Sequence, residues 1–122
     1  MKKIKIPTDK EKFYRQVLSL LGSMAPVKHL RPKELEVLSM IMYYNNEYRH
    51  LDEDARMVLI FSTQMRKAIR EELNQSEDSF NNNVSRLRKL GILSSDSKLH
   101  PFFSSILFSR DYEITFKLVS NG

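Results

Sequence analysis

The spacing of apolar and polar residues predicts a helix near the start of the chain. Thr8 and Glu11 form a capping box, in which the hydroxyl accepts a backbone N–H and the glutamate reaches back to the cap. Apolar residues then recur at helical spacing as far as Gly22, which can turn the chain out of a helix. We therefore expect a first helix over residues 9–21. Its apolar stripe contains Phe13, Val17 and Leu21.

A second helix is expected from Pro32 to about Asn45, because proline suits a first helical turn and strong helix formers follow it. Its apolar residues cover two adjacent stripes, which predicts a central and mostly buried helix. The next apolar run, residues 57–61, is short and β-prone, so we interpret it as a strand. Helix is the alternative, since periodicity does not separate the two in so short a run.

Two further helices are predicted on either side of a tight turn. Ser62 can cap an amphipathic helix that ends near Asn74, and Ser76 can cap another that ends at Gly91. The second of these has acidic residues in its first turn and basic residues in its last, which is the order that the helix dipole favours. Its buried stripe contains Phe80, Val84, Leu87 and Leu90.

The C-terminal region predicts a β-hairpin. Ile92 and Leu93 begin one strand, and residues 112–119 alternate apolar and polar side chains as a half-buried strand does. The link between them, which passes through Pro101, is long for a hairpin.

Two helices joined by a short turn and followed by a hairpin resemble the winged helix-turn-helix DNA-binding superfamily of bacteria and phages. The run Ser-Arg-Leu-Arg-Lys-Leu-Gly-Ile-Leu, residues 85–93, is similar to the end of the recognition helix in that superfamily. The resemblance covers about residues 32–119. It implies a mainly α (α+β) fold, with a winged helix-turn-helix domain at residues 32–122. A basic N-terminal segment, residues 1–31, would add one helix.

The resemblance makes the outward face of residues 77–90 the candidate DNA-binding surface, with basic residues of the preceding helix beside it. Asparagine amides can pair with adenine, and lysine and arginine can contact phosphates. The alternative is an ordinary solvated helix face, which Glu77 and Asp78 at the helix start favour. The candidate DNA-binding residues are Asn81, Asn82, Ser85, Arg86, Lys89, Arg66 and Lys67.

The net charge of +5 lies entirely in the first part of the chain. Residues 1–50 hold ten Lys and Arg against five Asp and Glu, whereas residues 51–122 hold ten of each. This excess indicates either a phosphate-contacting arm that includes Lys2, Lys3 and Lys5, or a solvated face that keeps the protein in solution.

The first helix is an addition to a helix-turn-helix core, and its apolar stripe needs a partner. One solution is a homodimer with Phe13, Val17 and Leu21 in the interface, which would suit a palindromic DNA site. The competing solution is packing against the helix of residues 32–45, which leaves a monomer.

Several classes of function are excluded by composition. The chain has no cysteine, its three histidines are far apart in sequence, and its three glycines form no phosphate-binding loop. We therefore expect no metal, no cofactor and no enzymatic activity. No apolar run is long enough to span a membrane and no secretion signal is evident, so we expect a cytoplasmic protein, in the host cytoplasm or virion if it is phage-encoded.

These observations favour duplex DNA binding by a small transcription or replication regulator of a bacterium, phage or mobile element. The alternative is a phage virion structural or assembly protein that uses a winged-helix fold to contact other phage proteins. That alternative rests on the electrically neutral second half, the acidic helix start, and a link in which Phe102 and Phe103 look exposed.

Overall fold

A computed structural model of the chain describes the backbone of residues 3–5, 10–106 and 113–115, and the side chains of residues 12–106. A 3-10 helix at Val27–His29 lies between the first two α-helices. The other elements, in chain order, are β1 (Lys3–Lys5), α1 (Lys10–Leu20), α2 (Pro32–Glu47), α3 (Glu53–Ile60), α4 (Thr63–Glu72), α5 (Glu77–Lys89), α6 (Pro101–Ser104) and β2 (Glu113–Thr115).

Helix α2 lies at the centre of the fold, with α1, α3, α4, α5 and α6 packed against it. It begins at Pro32, where the missing N–H is not needed for a helical hydrogen bond. Val37, Leu38, Ile41 and Met42 are almost completely buried. The prediction of a central, mostly buried helix starting at Pro32 is confirmed.

Helix α1 packs along α2 and closes the core on one side. Phe13 and Val17 are 0% exposed and Leu21 is 6% exposed within the single chain. Their side chains lie in the chain's own core, which favours the competing prediction, packing against α2, over a dimer interface. One cluster of buried residues runs from Phe13 to Ile106 and draws on both segments of the predicted division, residues 1–31 and 32–122. The capping residue Thr8 lies outside the described residues.

The short apolar run at residues 57–61 was predicted to be a strand from its β-propensity. It forms part of helix α3 instead, so the strand prediction is wrong. The Asp52 carboxylate accepts the Ala55 N–H at 2.9 Å and caps the helix before the apolar run begins. Met57 and Ile60, three positions apart, then face the core, while Val58 is 74% exposed. A cap and a helical spacing of buried residues thus override the local β-propensity.

Helices α4 and α5 and the turn between them agree with the sequence-based prediction. The Ser62 hydroxyl accepts the Met65 N–H, and the Ser76 hydroxyl accepts the Ser79 N–H. In the turn, Asn74 adopts a left-handed conformation with φ 55°. Gly91 ends α5 with φ +77°, the region that glycine enters without steric strain.

Within the described residues the predicted C-terminal β-hairpin is not seen, so the predicted winged helix-turn-helix fold is wrong. Leu93 makes a single bridge to Leu99 across a tight turn, and residues 92–93 do not pair with the later strand. The chain instead enters α6 at Pro101, capped by the His100 side chain. Strand β2 pairs antiparallel with the N-terminal β1, with Ile4 opposite Ile114. The described part of the chain is mainly helical, and its one sheet joins the two ends of the sequence.

No helix among residues 10–106 has both the length and the apolar character that crossing a membrane requires.

Candidate nucleic-acid interface

Helix α5 separates an apolar face from a polar face. Its inward residues Phe80, Val84 and Leu87 are at most 2% exposed. Asn82, Ser85 and Lys89 are exposed, as the helical spacing predicts. Exposed polar groups on one helix face can contact a ligand, and the neighbouring elements determine the shape of the surface around them.

The start of α2 provides that neighbour, and a groove runs between it and the outward face of α5. One part of the groove encloses about 300 Å³ and an adjoining part about 490 Å³. Both parts are lined by Arg31, Asn82 and Asn83, so they adjoin, and together they are here called the polar groove. The first part is also lined by Glu34, Ser85, Arg86 and Lys89. The second is also lined by Pro32, Lys33, Asn74, Gln75, Ser76 and Ser79.

The polar groove carries an excess of positive charge. Its cations are Arg31, Lys33, Arg86 and Lys89, and its one lining acid is Glu34. The acidic start of α5 lines neither part of the groove; Glu77 lines a separate cavity against α4. The fold therefore brings the basic residues at the start of α2 against the basic end of α5. The acidic residues at the start of α5 lie outside the groove.

The only acid of the groove lies at its floor. Glu34 is 4% exposed, and its Oε1 accepts the Arg31 N–H at 2.9 Å. Its Oε2 lies 3.8 Å from Nε of Arg86, close enough for ion pairing but beyond hydrogen-bond distance. Arg86 thus offsets the charge of Glu34 within the protein.

Two side-chain amides, one of them buried, hold the walls of the polar groove together. Gln75, 7% exposed, donates through Nε2 to the Lys33 carbonyl oxygen at 3.3 Å, which ties the α4–α5 turn to the start of α2. Asn83 donates to Oε1 of Gln75 at 2.9 Å, which ties the same turn to α5. These bonds stabilise the relative position of α2 and α5.

Sequence reasoning missed part of this site. Arg31, Lys33 and Glu34 precede or begin α2, and nothing in their spacing relates them to α5. The excess of basic residues in the first part of the chain was the available signal, but it did not indicate which element those residues would face. Gln75 lies in the predicted turn between Asn74 and Ser76, and its position there does not relate it to α2.

Three residues predicted to bind DNA do not line the polar groove. The Arg66 guanidinium donates to Oδ1 of Asn81 and lies 5.9 Å from the centroid of the Phe80 ring. Arg66, Lys67 and Asn81 line a separate cavity of about 160 Å³ between α4 and the start of α5. Arg66 and Asn81 therefore join two helices to each other.

The side chains of Lys2, Lys3 and Lys5 lie outside the described residues, although the backbone of Lys3–Lys5 forms β1.

Lys98, in the turn after Leu93, pairs with an acidic residue at the start of α3 and lies near Asp96. Nζ of Lys98 lies 2.9 Å from the Asp54 carboxylate, and this hydrogen bond raises the pKa of Lys98. A hydrogen bond from Ser94 lowers the pKa of Asp96. Within the described residues, no cluster of three His, Asp or Glu could hold a metal ion.

A second, apolar cavity of about 400 Å³ lies where the end of α5 meets the loop after α1. Met24, 47% exposed, lies at this cavity, and Leu20 near the end of α1 is 52% exposed.

Phe103 is 2% exposed and Phe102 half-buried, so the exposure expected for these two rings is wrong. The Nδ1 atom of His100 accepts the Phe102 N–H at 3.1 Å. The lining residues are Leu21, Met24, Ala25, Pro26, Val27, Leu90, Gly91, His100, Phe102 and Phe103.

Comparison of the chain with protein-family models, with curated proteins and with solved structures finds no match to any of the three.

Proposed function

We propose that this protein binds duplex DNA through the polar groove. The observation that carries the proposal is that four cations, Arg31, Lys33, Arg86 and Lys89, line one groove together with exposed amide and hydroxyl groups. Cations supply the affinity for a phosphate backbone, and amides supply hydrogen bonds to base edges. A small protein with this site would act as a transcription or replication regulator.

The charge order along α5 determines how the helix would approach DNA. Its first turn contains Glu77 and Asp78, and its last turn contains Arg86, Arg88 and Lys89. A polyanion is repelled by the first turn and attracted by the last. In the proposed complex the C-terminal half of α5 faces the phosphates, and Asn82 in mid-helix faces a base edge.

Substitution of Lys89 tests the proposal against the alternative surface on α4. Lys89→Ala should weaken binding to a mixed-sequence duplex and reduce the dependence of affinity on salt, by a slope of about 0.9 for each lost phosphate contact. The matched control is Lys67→Ala, which removes the same exposed charge outside the groove. Affinity measured by fluorescence anisotropy at two salt concentrations gives both quantities.

Two results would contradict the proposal. The unaltered chain could fail to bind duplex DNA at low salt, or Lys67→Ala could weaken binding as much as Lys89→Ala. The second result would assign binding to α4 instead of the polar groove.

A second candidate function is assembly with other proteins, as in a phage virion component. The apolar cavity between the end of α5 and the loop after α1 favours it, because half-exposed Met24, which lines the cavity, would be buried by an apolar partner.

The role of the apolar cavity can be tested by identifying the protein that co-purifies with the chain from its native source. A stoichiometric protein partner should be lost on Met24→Ser and kept on Val58→Ser, which removes an exposed apolar side chain from α3 instead. Equal effects of the two substitutions would count against this cavity as the contact site.

A further inference from the structure

Glu34 is an unexpected residue at the floor of a groove proposed to bind a polyanion. Its carboxylate is buried, and one oxygen accepts the Arg31 N–H at 2.9 Å. A helix cap at this position does not require burial of a charge. A negative charge beneath a phosphate site opposes binding unless the charge acts through another group.

Arg86 is that group. Its Nε is buried without a hydrogen-bond partner. It lies 3.8 Å from Oε2 of Glu34, the carboxylate oxygen that does not accept the Arg31 N–H. Yet the Arg86 side chain as a whole is 39% exposed and lines the polar groove. The buried edge of the side chain thus faces a protein carboxylate, while the remainder is open to the groove.

We propose that Glu34 is a positioning residue that holds Arg86 by its Nε edge, so that the outer nitrogens of the guanidinium bind a phosphate of the DNA backbone. This inference rests on the proposed function and assigns one phosphate subsite within it. A guanidinium is planar, permanently charged and able to bind two anions on different edges. Anchoring one edge removes side-chain freedom before the ligand arrives.

The neighbouring cations favour a phosphate over a base at this subsite. Arg31 and Lys89 line the same part of the groove, so an anion bound to Arg86 would lie among three positive charges. Base edges carry no net charge and gain less from such a cluster.

Replacing Glu34 and replacing the nearby Glu36 each remove one negative charge, but we expect opposite effects on the affinity for DNA. Removing an acid close to bound DNA ordinarily strengthens binding, because a repulsive charge is lost. Glu36 lies two positions further along α2 and pairs with Arg15 and Lys33 at the protein surface. Glu36→Gln should therefore bind DNA as tightly as the unaltered chain or more tightly.

Glu34→Gln should instead weaken binding, although it also removes a negative charge. Glutamine keeps an oxygen for the Arg31 N–H, so the start of α2 is retained while the ion pair to Arg86 is lost. We expect affinity to fall about tenfold, the effect of losing one well-placed charged contact. Arg86→Lys should weaken binding similarly, because a lysine keeps the charge but has no second edge for Glu34 to hold.

The experiment measures affinity of the full-length chain and these three variants for several mixed-sequence duplexes at two salt concentrations, together with thermal unfolding. The expected result is weaker binding and a smaller salt dependence for Glu34→Gln and Arg86→Lys on every duplex, with no weakening for Glu36→Gln. A loss confined to one DNA sequence would overturn the phosphate assignment in favour of a base contact.

The failure of this inference is distinguishable from failure of the proposed function. If the unaltered chain binds DNA and a folded Glu34→Gln variant binds as well or better, the positioning role is overturned alone. If Glu34→Gln does not fold, Arg86→Lys decides: affinity equal to that of the unaltered chain overturns the inference. No binding by the unaltered chain overturns the proposed function and this inference with it.

Discussion

At the scale of single residues, local chemistry explains where the helices of this chain begin and end. Serine hydroxyls at 62 and 76 and an aspartate at 52 each accept a backbone N–H of the first turn that follows. These N–H groups have no partner within the helix, so a side-chain acceptor placed just before it determines its start. The same reasoning applies to Gly91, whose left-handed conformation ends α5 and directs the chain toward Ile92.

Gly91→Ala should lower the free energy of unfolding by about 1 to 2 kcal/mol, because an L-residue is strained at φ +77°. A Cβ at this position meets no atom within 4 Å, so backbone strain is the whole effect. Urea denaturation measures it. Gly91→Asn should lose less, since asparagine tolerates the left-handed region. Equal stability of the alanine variant and the unaltered chain would show that the chain relaxes out of this conformation.

At the scale of elements, α1 is a structural part of the domain. Its buried residues meet α2, and the rings of Phe13 and Tyr14 pack edge to face, 4.9 Å apart. A helix with so broad an apolar stripe must bury it, and the sequence allowed either a second chain or the chain's own core. The neighbouring helix α2 presents apolar residues on most of its circumference, which gives α1 a surface to cover.

The adjacent residues Leu20 and Leu21 provide a matched test of this packing. Leu21→Glu should destabilise the fold by at least about 3 kcal/mol, because it places a charge in the core. Leu20→Glu should change stability little, since Leu20 is 52% exposed. Thermal unfolding monitored by circular dichroism compares them. Tolerance of Leu21→Glu would mean that α1 does not pack as described.

At the scale of the whole molecule, one core and one polar groove depend on the same arrangement of α2 and α5. Helix α2 contributes buried residues to the core and, at its start, basic residues to the groove. The hydrogen bonds of Gln75 connect these parts. The shape of the groove and the stability of the core are therefore linked through α2.

A single core predicts a single cooperative unfolding transition for residues 12–106. Far-ultraviolet circular dichroism, which reports helix content, and tyrosine fluorescence, which reports Tyr14 and the tyrosines of α2, should give coincident midpoints in urea. A tyrosine signal that changes before helix content would indicate that α1 and α2 separate first.

The helices could be predicted from the sequence because their determinants are local. Caps, the proline at α2 and the spacing of apolar residues all act within a few positions, so α2, α4 and α5 were placed correctly. The strand predicted at residues 57–61 was wrong because Asp52, outside the run, caps a helix that includes it. The exposed polar face of α5 followed from periodicity alone.

The pairing of distant segments was decided only by the tertiary structure. The partner of β2 is β1 at the other end of the chain, and alternation along residues 112–119 carries no information about which strand it meets. The partner of the α1 stripe, and the approach of Arg31 and Lys33 to α5, are likewise set by how helices pack around α2. The sequence by itself determined most of the helices, with α3 and α6 as exceptions, and which faces are apolar, because these depend on neighbours along the chain. Tertiary packing determined which faces meet, because contacts between distant segments depend on the combined burial of all of them.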